Sequence, residues 1–247
     1  MTAAKGADAY ASKVLSAQGV SPEPAGTVNP RSLSGVASDG RSLAGLLWTP
    51  AAHARIAARN GRTRAEQHAA GRASLQMLTR TQVADAGRVA DGIAIAARPR
   101  TGYVRMLVGD SCPRCAILAG RFYKYSTGFK RHPQCDCTMI PSTEDVAGDL
   151  TTDPRIAFDA GRIEGLSEAD TRAIRDGADI AQVINAHKKN GMYVAGGQKF
   201  TRIGTTRHGL AGIRLKGAPR LMPEQIYRDA TSREDAIRLL RLHGYLV

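Results

Sequence analysis

Cysteine is absent from most of this sequence. All four cysteines of the 247 residues lie between Cys112 and Cys137. The sequence also lacks any apolar run near the ~20 residues of a membrane span, and its first residues contain no apolar stretch of signal-peptide length. We therefore expect a soluble protein made in a reducing cytoplasm, where clustered cysteines bind metal more often than they form disulfides.

The spacing of the cysteines is typical of metal ligands. Cys112 and Cys115 form a C-x2-C pair, and His132, Cys135 and Cys137 follow as H-x2-C-x-C. Structural zinc is held tetrahedrally by four thiolate or imidazole ligands, usually supplied as two closely spaced pairs. We therefore predict a structural zinc ion with these five residues as its candidate ligands.

Five candidates compete for four coordination positions. If the segment after Cys135 is extended, Cys135 and Cys137 point to opposite faces, and one of them turns away from the metal. His132 and Cys135 form the natural second pair, although a knuckle-like loop could bring in Cys137 instead. The alternative to a metal site is a set of buried thiols or two incidental disulfides.

Aromatic residues are scarce, at 5% of the chain, and basic residues outnumber acidic ones to give a formal net charge of +13. The excess indicates a polyanionic neighbour or an acidic protein surface. Residues 187–223 contain eight Lys or Arg, seven Gly and no acidic residue. We interpret this segment as a flexible basic arm that lies along the phosphates of a nucleic acid or docks on an acidic protein surface. The predicted binding residues are Lys199, Arg202, Arg207, Arg214 and Lys216.

Local patterns predict an α+β protein that is mainly helical. Thr63 and Glu66 are spaced as a capping box, and the helix that they begin extends toward Pro99. Apolar residues recur along it at helical spacing and predict its inner face. These are Leu75, Leu78, Val83, Ala86, Val89 and Ile93. Alternation predicts a strand over 102–109, and a second strand over 137–141 should end at Pro141.

The carboxy-terminal part carries its own helix signals. Ser167, with Asp170 three residues later, is a candidate amino-terminal cap of one helix, and Asp179 is a candidate cap of the next. Ser232, with Asp235 three residues later, begins a last helix that should end at Gly244. We therefore divide the chain into three regions. They are a helical region with a Pro/Gly-rich linker over 1–100, a zinc-knuckle module over 101–145, and a helical region over 146–247 that carries the basic loop.

The cysteine segment also resembles a known class of protein. The runs CPRCAILAGRFY and GFKRHPQCDCTMIP are similar to the signature of MuF-like phage minor head proteins of the actinobacteriophage type. The resemblance extends from about residue 25 to the end of the chain. It implies a virion protein near the portal that acts in head morphogenesis, with the portal and other head proteins as partners.

An enzymatic role has little support in the sequence. Ser111, His132 and Asp136 could be offered as a nucleophile, base and orienting acid, but no G-x-S-x-G, P-loop, H-E-x-x-H or dinucleotide motif is present. We therefore expect no enzyme, with a capsid maturation protease or a sequence-indifferent DNA-binding protein as the alternative functions. His187 and His208 lie in polar surroundings and are expected to be solvated.

Overall fold

The computed structural model describes residues 4–126 and 137–247, which divide into two compact units. Unit 1 comprises Met1–Val108 and Arg121–Thr151, and unit 2 comprises Gly109–Gly120 and Thr152–Val247. About half of the chain is helical and the sheets are small and antiparallel, so the predicted α+β class is confirmed. These units differ from the three regions drawn from the sequence, because residues 109–120 pack with the carboxy-terminal part of the chain.

Unit 1 combines helices with a three-stranded antiparallel sheet. Its helices are α1 (Ala7–Ala17), α2 (Leu43–Leu46), α3 (Thr49–Arg59) and α4 (Arg64–Ala96), with 3-10 turns at Pro30–Leu33 and Ala147–Leu150. Its strands are β1 (Thr101–Met106), β2 (Phe122–Lys124) and β3 (Thr138–Thr143), in the spatial order β2-β1-β3. The Pro/Gly-rich residues between α1 and α2 are mostly irregular, as their composition predicts.

The longest helix begins at the predicted capping box. The Thr63 hydroxyl accepts the Glu66 backbone N–H, and the Glu66 carboxylate accepts the Thr63 backbone N–H at 2.8 Å. Its inner face differs from the predicted one. Leu75, Val83, Val89 and Ile93 are all exposed, whereas small residues such as Ala90 and Ala94 are buried. Across the described residues, no helix is both long enough and apolar enough to cross a membrane.

The small residues of α4 allow α1 to pack closely against it. Ala7 and Ala11 of α1 form one buried cluster with Ala90 and Ala94. The buried side chain of Arg98, which is 3% exposed, links the same two helices. Its Nη1 donates to the Ala94 carbonyl of α4 at 2.6 Å, and its Nη2 donates to two acceptors on α1. The acceptors on α1 are the Asp8 carbonyl and the Ser12 hydroxyl.

The sheet of unit 1 is centred on β1. The rings of Tyr103 and Tyr123 stack at a centroid distance of 5.2 Å on one face. A Cβ on Gly102 would clash with the Tyr123 carbonyl oxygen, so the close approach of β1 and β2 requires glycine there. Pro141 pairs with Tyr103 and does not end β3 as predicted. Because β3 is an edge strand, the missing proline N–H is tolerated.

Unit 2 is built from short helices around a second small sheet. Its helices are α5 (Pro113–Leu118), α6 (Pro154–Asp159), α7 (Glu168–Arg175), α8 (Ile180–Ala186), α9 (Leu210–Leu215), α10 (Pro223–Asp229) and α11 (Arg233–Leu242). Its strands are β4 (Met192–Ala195), β5 (Gln198–Thr201) and β6 (Arg220–Leu221), antiparallel in that order. One core cluster unites α5, α7, α8, α10 and α11, and it includes Ile117, Ile174, Val183, Ile226 and Leu240.

The capping residues read from the sequence occupy the predicted helix ends. Ser167 accepts the Asp170 backbone N–H, Asp179 accepts that of Gln182, and Ser232 accepts that of Asp235. Gly244, with φ of 68°, follows the last helix in the left-handed conformation. Each of these signals is local, so the boundaries of α7, α8 and α11 follow from the sequence alone.

Residues 187–223 form ordered secondary structure, which differs from the predicted flexible arm. They contain β4, β5, α9 and β6. Gly196 and Gly197 form the two-residue turn between β4 and β5, and both have positive φ, as a tight hairpin turn of this kind requires. Glycine therefore enables the hairpin here, whereas its abundance in this segment predicts flexibility from the sequence alone.

Arg220 and His243 connect β6 to the end of the chain. The Arg220 side chain is fully buried, and its guanidinium lies 4.1 Å above the ring of Tyr245. The His243 Nδ1 accepts the Leu221 backbone N–H at 3.1 Å, which fixes the neutral imidazole as the form that fits. The acceptors around the guanidinium are the carbonyls of Ile203, His243 and Gly244 and the side-chain oxygen of Gln182.

His243 is expected to make unit 2 sensitive to acid. Burial, and secondly the charge of Arg220, lowers the pKa of His243 to about 4. The unfolded chain takes up this proton near pH 6.5, so the contribution of His243 to stability is complete above that pH. It is lost as the pH falls toward 4, by up to about 3 kcal/mol. Urea titrations at several pH values, followed by the NMR signals of α11, measure the loss.

His243→Asn is the matched control, because the Asn Oδ1 can accept the Leu221 N–H and does not titrate. The free energy of unfolding of this variant should change less between pH 7 and 4 than that of the wild type. The difference between the two proteins also removes the contributions of the other titrating groups to the pH dependence of stability. One of these groups is His187, whose raised pKa changes the stability with pH in the opposite direction. Parallel curves for the two proteins would show that His243 does not cause the acid sensitivity.

Candidate functional site

The first predicted ligand pair lies at the start of α5. Cys112 is the amino-terminal cap of this helix, and its Sγ accepts the Cys115 backbone N–H at 3.4 Å. The two Sγ atoms are 3.3 Å apart. The backbone of Ser111, just before this helix, exchanges hydrogen bonds with Arg162 and Glu164. The C-x2-C spacing therefore brings both sulfur atoms to one side of the helix start.

The second predicted ligand pair falls only partly within the described structure. Cys137 is 1% exposed and directly precedes β3. Its carbonyl oxygen accepts Arg88 Nε–H from α4 at 2.9 Å, which fixes the main chain at this position within unit 1. His132 and Cys135 lie outside the described residues. The choice of four ligands among the five candidates stays a prediction.

The predicted DNA- or portal-binding residues have different structural roles. Arg207, in a turn, and Lys216, after α9, are exposed. The Arg202 guanidinium lies over the ring of Tyr193 in β4, 5.1 Å from the ring centroid. Lys199 lies in β5, and its Nζ is 3.4 Å from the Glu224 Oε1. Only part of the predicted set therefore has its charge available to a partner.

Arg214 supports the fold directly. Its Nη1 donates to the carbonyl oxygens of Arg241 at 2.6 Å and Leu246 at 2.7 Å. Arg241 lies in the last turn of α11, where helix carbonyls lack partners within the helix and positive charge is favourable, and Leu246 lies in the segment after this helix. The glycine-rich sequence around Arg214 predicts a loop, whereas this residue belongs to α9 and connects that helix to the chain end.

A cluster of polar groups that the sequence analysis missed lies in unit 2. The Asp170 Oδ1 is 2.9 Å from the His187 Nε2, and Ser167 donates its hydroxyl to the other Asp170 oxygen at 2.7 Å. Glu224 lies close to this pair. One carboxylate oxygen of Asp170, one of Glu224 and a ring nitrogen of His187 all lie within 4.8 Å of one another. His187 is therefore not simply solvated, as had been expected, although His208 is exposed.

The charges of the cluster are closely coupled. The hydrogen bond to Asp170, more than any other influence, raises the pKa of His187 above its ordinary value. Asp170 itself is 4% exposed and lies at the third position of α7. The sequence did contain one signal, because the Ser167 cap places Asp170 in the first turn of a helix. That pattern gave no indication of His187 or Glu224, which come from later elements.

Two substitutions test whether Arg214 stabilises the fold while the exposed Arg207 does not. They are Arg214→Gln and Arg207→Gln. Losing the charged donor to two carbonyls should lower the free energy of unfolding of unit 2 by about 1.5–3 kcal/mol in Arg214→Gln. The exposed Arg207→Gln removes the same charge and should change it by less than about 0.5 kcal/mol. Urea unfolding followed through α11 measures both. Equal effects of the two substitutions would contradict the structural role of Arg214.

Comparisons with known proteins give one positive result. A family model described as VG15 protein matches residues 1–158, which includes α1 to α5, most of α6 and all four cysteines. No curated protein gives a significant match, and no solved structure does so. The match covers well over half of the chain, and the family is phage-related. The chain therefore belongs to the VG15 protein family.

Proposed function

We propose that this protein is a MuF-like minor head protein of a tailed phage, located near the portal and acting in head morphogenesis. The observation that carries the proposal is membership of the phage-related VG15 family over residues 1–158. This span contains the cysteine segment whose sequence resembles minor head proteins. In this proposal the protein is a component of the virion, and it is in the host cytoplasm during assembly.

The helices of unit 1 support a role in binding other proteins. Trp48 is 75% exposed just before α3, and Ile56 on α3 and Val83 on α4 are more than half exposed. Exposed arginines, including Arg55 and Arg59, lie among them. Tryptophan and arginine are enriched among the residues that dominate protein interfaces. An assembly partner such as the portal or another head protein would cover these side chains.

The surface of unit 2 supports a second contact, with an acidic protein or with packaged DNA. Apart from Arg202, which lies over the Tyr193 ring, four basic residues between 187 and 223 are exposed and lie outside the helices and strands. They are Lys188, Lys189, Arg207 and Lys216. We call these four the basic surface. Sequence-indifferent DNA binding is the alternative function that this surface supports, because it acts through phosphates.

A structural role fits the position of Ser111 better than a proteolytic one does. Ser111 is 6% exposed, and its backbone N–H and C=O are both used in hydrogen bonds to Arg162 and Glu164. A nucleophile has to reach a substrate and have a base within hydrogen-bonding distance. The other members of the hypothetical triad, His132 and Asp136, lie outside the described residues.

The virion assignment can be tested by fractionating virions and by neutralising the basic surface. Changing Lys188, Lys189, Arg207 and Lys216 together to Gln should leave the fold intact and reduce incorporation into heads several-fold, because a partner contact is lost. Mass spectrometry of purified virions measures the incorporated protein. A control variant changes four other exposed basic residues, Lys5, Lys13, Arg162 and Arg175, to Gln and should be incorporated normally.

The outcomes distinguish the proposals. If the protein is absent from purified virions, the minor head function is wrong. If both quadruple variants are incorporated at the wild-type level, the basic surface has no role in assembly. Should the surface bind DNA, the slope of log affinity against log salt should be about −0.9 for each phosphate contact, and it should be smaller for the basic-surface variant. Docking through charges at the rim of a protein interface depends less on salt.

We further propose that the cysteine segment holds one structural zinc ion. The fit rests on Cys112 and Cys115, whose sulfur atoms face each other at the start of α5. The hydrogen bond from the Cys115 N–H to the Cys112 Sγ stabilises the thiolate form that binds zinc. The remaining ligands would come from His132, Cys135 and Cys137. When bound, the ion would supply folding free energy rather than chemistry, because four protein ligands leave no open position.

Protein purified under reducing conditions should contain about one zinc ion per chain by elemental analysis. Cys112→Ser and Cys115→Ser should each lose the metal and lower the melting temperature, because metal binding contributes to folding. Cys135→Ser and Cys137→Ser should differ from each other if only one of these thiols is a ligand. Ser111→Ala, next to the pair, should retain zinc. Wild-type protein without zinc would contradict the site.

A further inference from the structure

The cluster of Asp170, His187 and Glu224 contains a buried oxygen with no hydrogen-bond partner among the described residues. That oxygen is the Glu224 Oε2, and the glutamate side chain as a whole is 24% exposed. A buried carboxylate oxygen without a donor is unfavourable, because the lost interaction with water is not replaced. Such atoms in native proteins indicate a bound ion, a water molecule or a functional role.

We propose that Asp170, His187 and Glu224 bind a divalent metal ion that prefers oxygen and nitrogen ligands, such as Mn²⁺. The donor set is two carboxylates and one imidazole, with no thiolate. Carboxylates suit hard divalent ions, while the imidazole adds affinity for the transition metals among them. The site is distinct from the proposed zinc knuckle in both its residues and its ligand chemistry.

The distances are compatible with coordination after small side-chain movements. Metal–ligand bonds of about 2.0–2.2 Å place neighbouring ligand atoms about 3 Å apart. The Asp170 Oδ1 and His187 Nε2 are already 2.9 Å apart, and the Glu224 oxygen lies within 4.8 Å of both. The side chain of Glu224 begins in the first turn of α10, so rotation of its terminal bonds can close the remaining gap.

The surroundings of the cluster resemble the outer groups that orient metal ligands. Ser167 donates to the Asp170 oxygen that does not face His187, and this leaves Oδ1 directed toward the imidazole. Metal-binding carboxylates are commonly fixed by such hydrogen bonds. The cluster opens into a cleft of about 460 Å³, which is also lined by Arg172 and Arg228. A metal ion here would therefore keep coordination positions open to water or to an anion.

Lys199 acts as the competing cation in the metal-free protein. Its Nζ is 3.4 Å from the Glu224 Oε1, and its side chain is 49% exposed. The His187 imidazole forms a hydrogen bond with the Asp170 carboxylate in the other part of the cluster. A divalent ion would replace the lysine ammonium group beside Glu224, so the flexible lysine would turn toward water when the metal binds. This competition predicts the effect of removing Lys199.

The test measures Mn²⁺ binding to the full-length protein by isothermal titration calorimetry and by the loss of the free-Mn²⁺ EPR signal. Wild type should bind one Mn²⁺ ion. Glu224→Gln and His187→Gln should each weaken binding at least tenfold. The matched control Glu168→Gln removes a carboxylate from the same cleft and should leave the affinity within about twofold, because Glu168 is not a ligand. Lys199→Met should strengthen binding.

Several results would overturn the proposal. They are an absence of Mn²⁺ binding by the wild type, an equal loss in Glu168→Gln, and weaker binding in Lys199→Met. Circular dichroism checks the fold of each variant. If His187→Gln unfolds, the result for Glu224→Gln decides, because Glu224 is the more exposed of the two carboxylates and its substitution disturbs the fold less. Cys112→Ser should keep Mn²⁺ binding. Failure of this site therefore leaves the zinc proposal and the minor head function unaffected, and their failure leaves this site unaffected.

Discussion

A buried guanidinium group has to give its hydrogen bonds to acceptors inside the protein, and this requirement shapes both units. In unit 2, Arg220 is completely buried and donates to three carbonyl oxygens and one side-chain amide, from three separate parts of the chain. The ring of Tyr245 covers its face. Removing one partner of such a network leaves polar groups buried without partners, which is costly. The positions of β6, α8 and the chain end are therefore interdependent.

Unit 1 uses the same principle on a smaller scale. Arg98, just after α4, donates to a carbonyl of its own helix and to two acceptors on α1. The alanines between these helices bury little apolar area each, so close approach and the arginine hydrogen bonds together hold the pair. Arg98, Arg105 and Arg220 are all buried. Three of the basic residues that contribute to the net charge of +13 are therefore not available to a partner at the surface.

The candidate sites of unit 2 share one structural feature, which is that their residues lie at helix ends. Cys112 caps α5, Asp170 lies in the first turn of α7, His187 follows α8, and Glu224 lies in the first turn of α10. Backbone geometry at a capped helix end is well defined, so side chains there are held in place. Helix ends also leave N–H and C=O groups that can support ligands. This arrangement explains how short helices can position these candidate ligands without a large sheet.

The sequence by itself determined the local structure. Thr63 with Glu66, Ser167 with Asp170 and Ser232 with Asp235 marked helix starts correctly, because a cap involves residues within one turn of each other. The same locality predicts the Cys112–Cys115 pair. Only the tertiary structure decided which of the charged residues between 187 and 223 are buried and what they contact. Whether Arg220 is buried, Arg214 bridges carbonyls or His187 meets Asp170 and Glu224 depends on contacts between distant segments. Residue type and spacing are the same for a solvated and a buried arginine, so no local pattern could distinguish them.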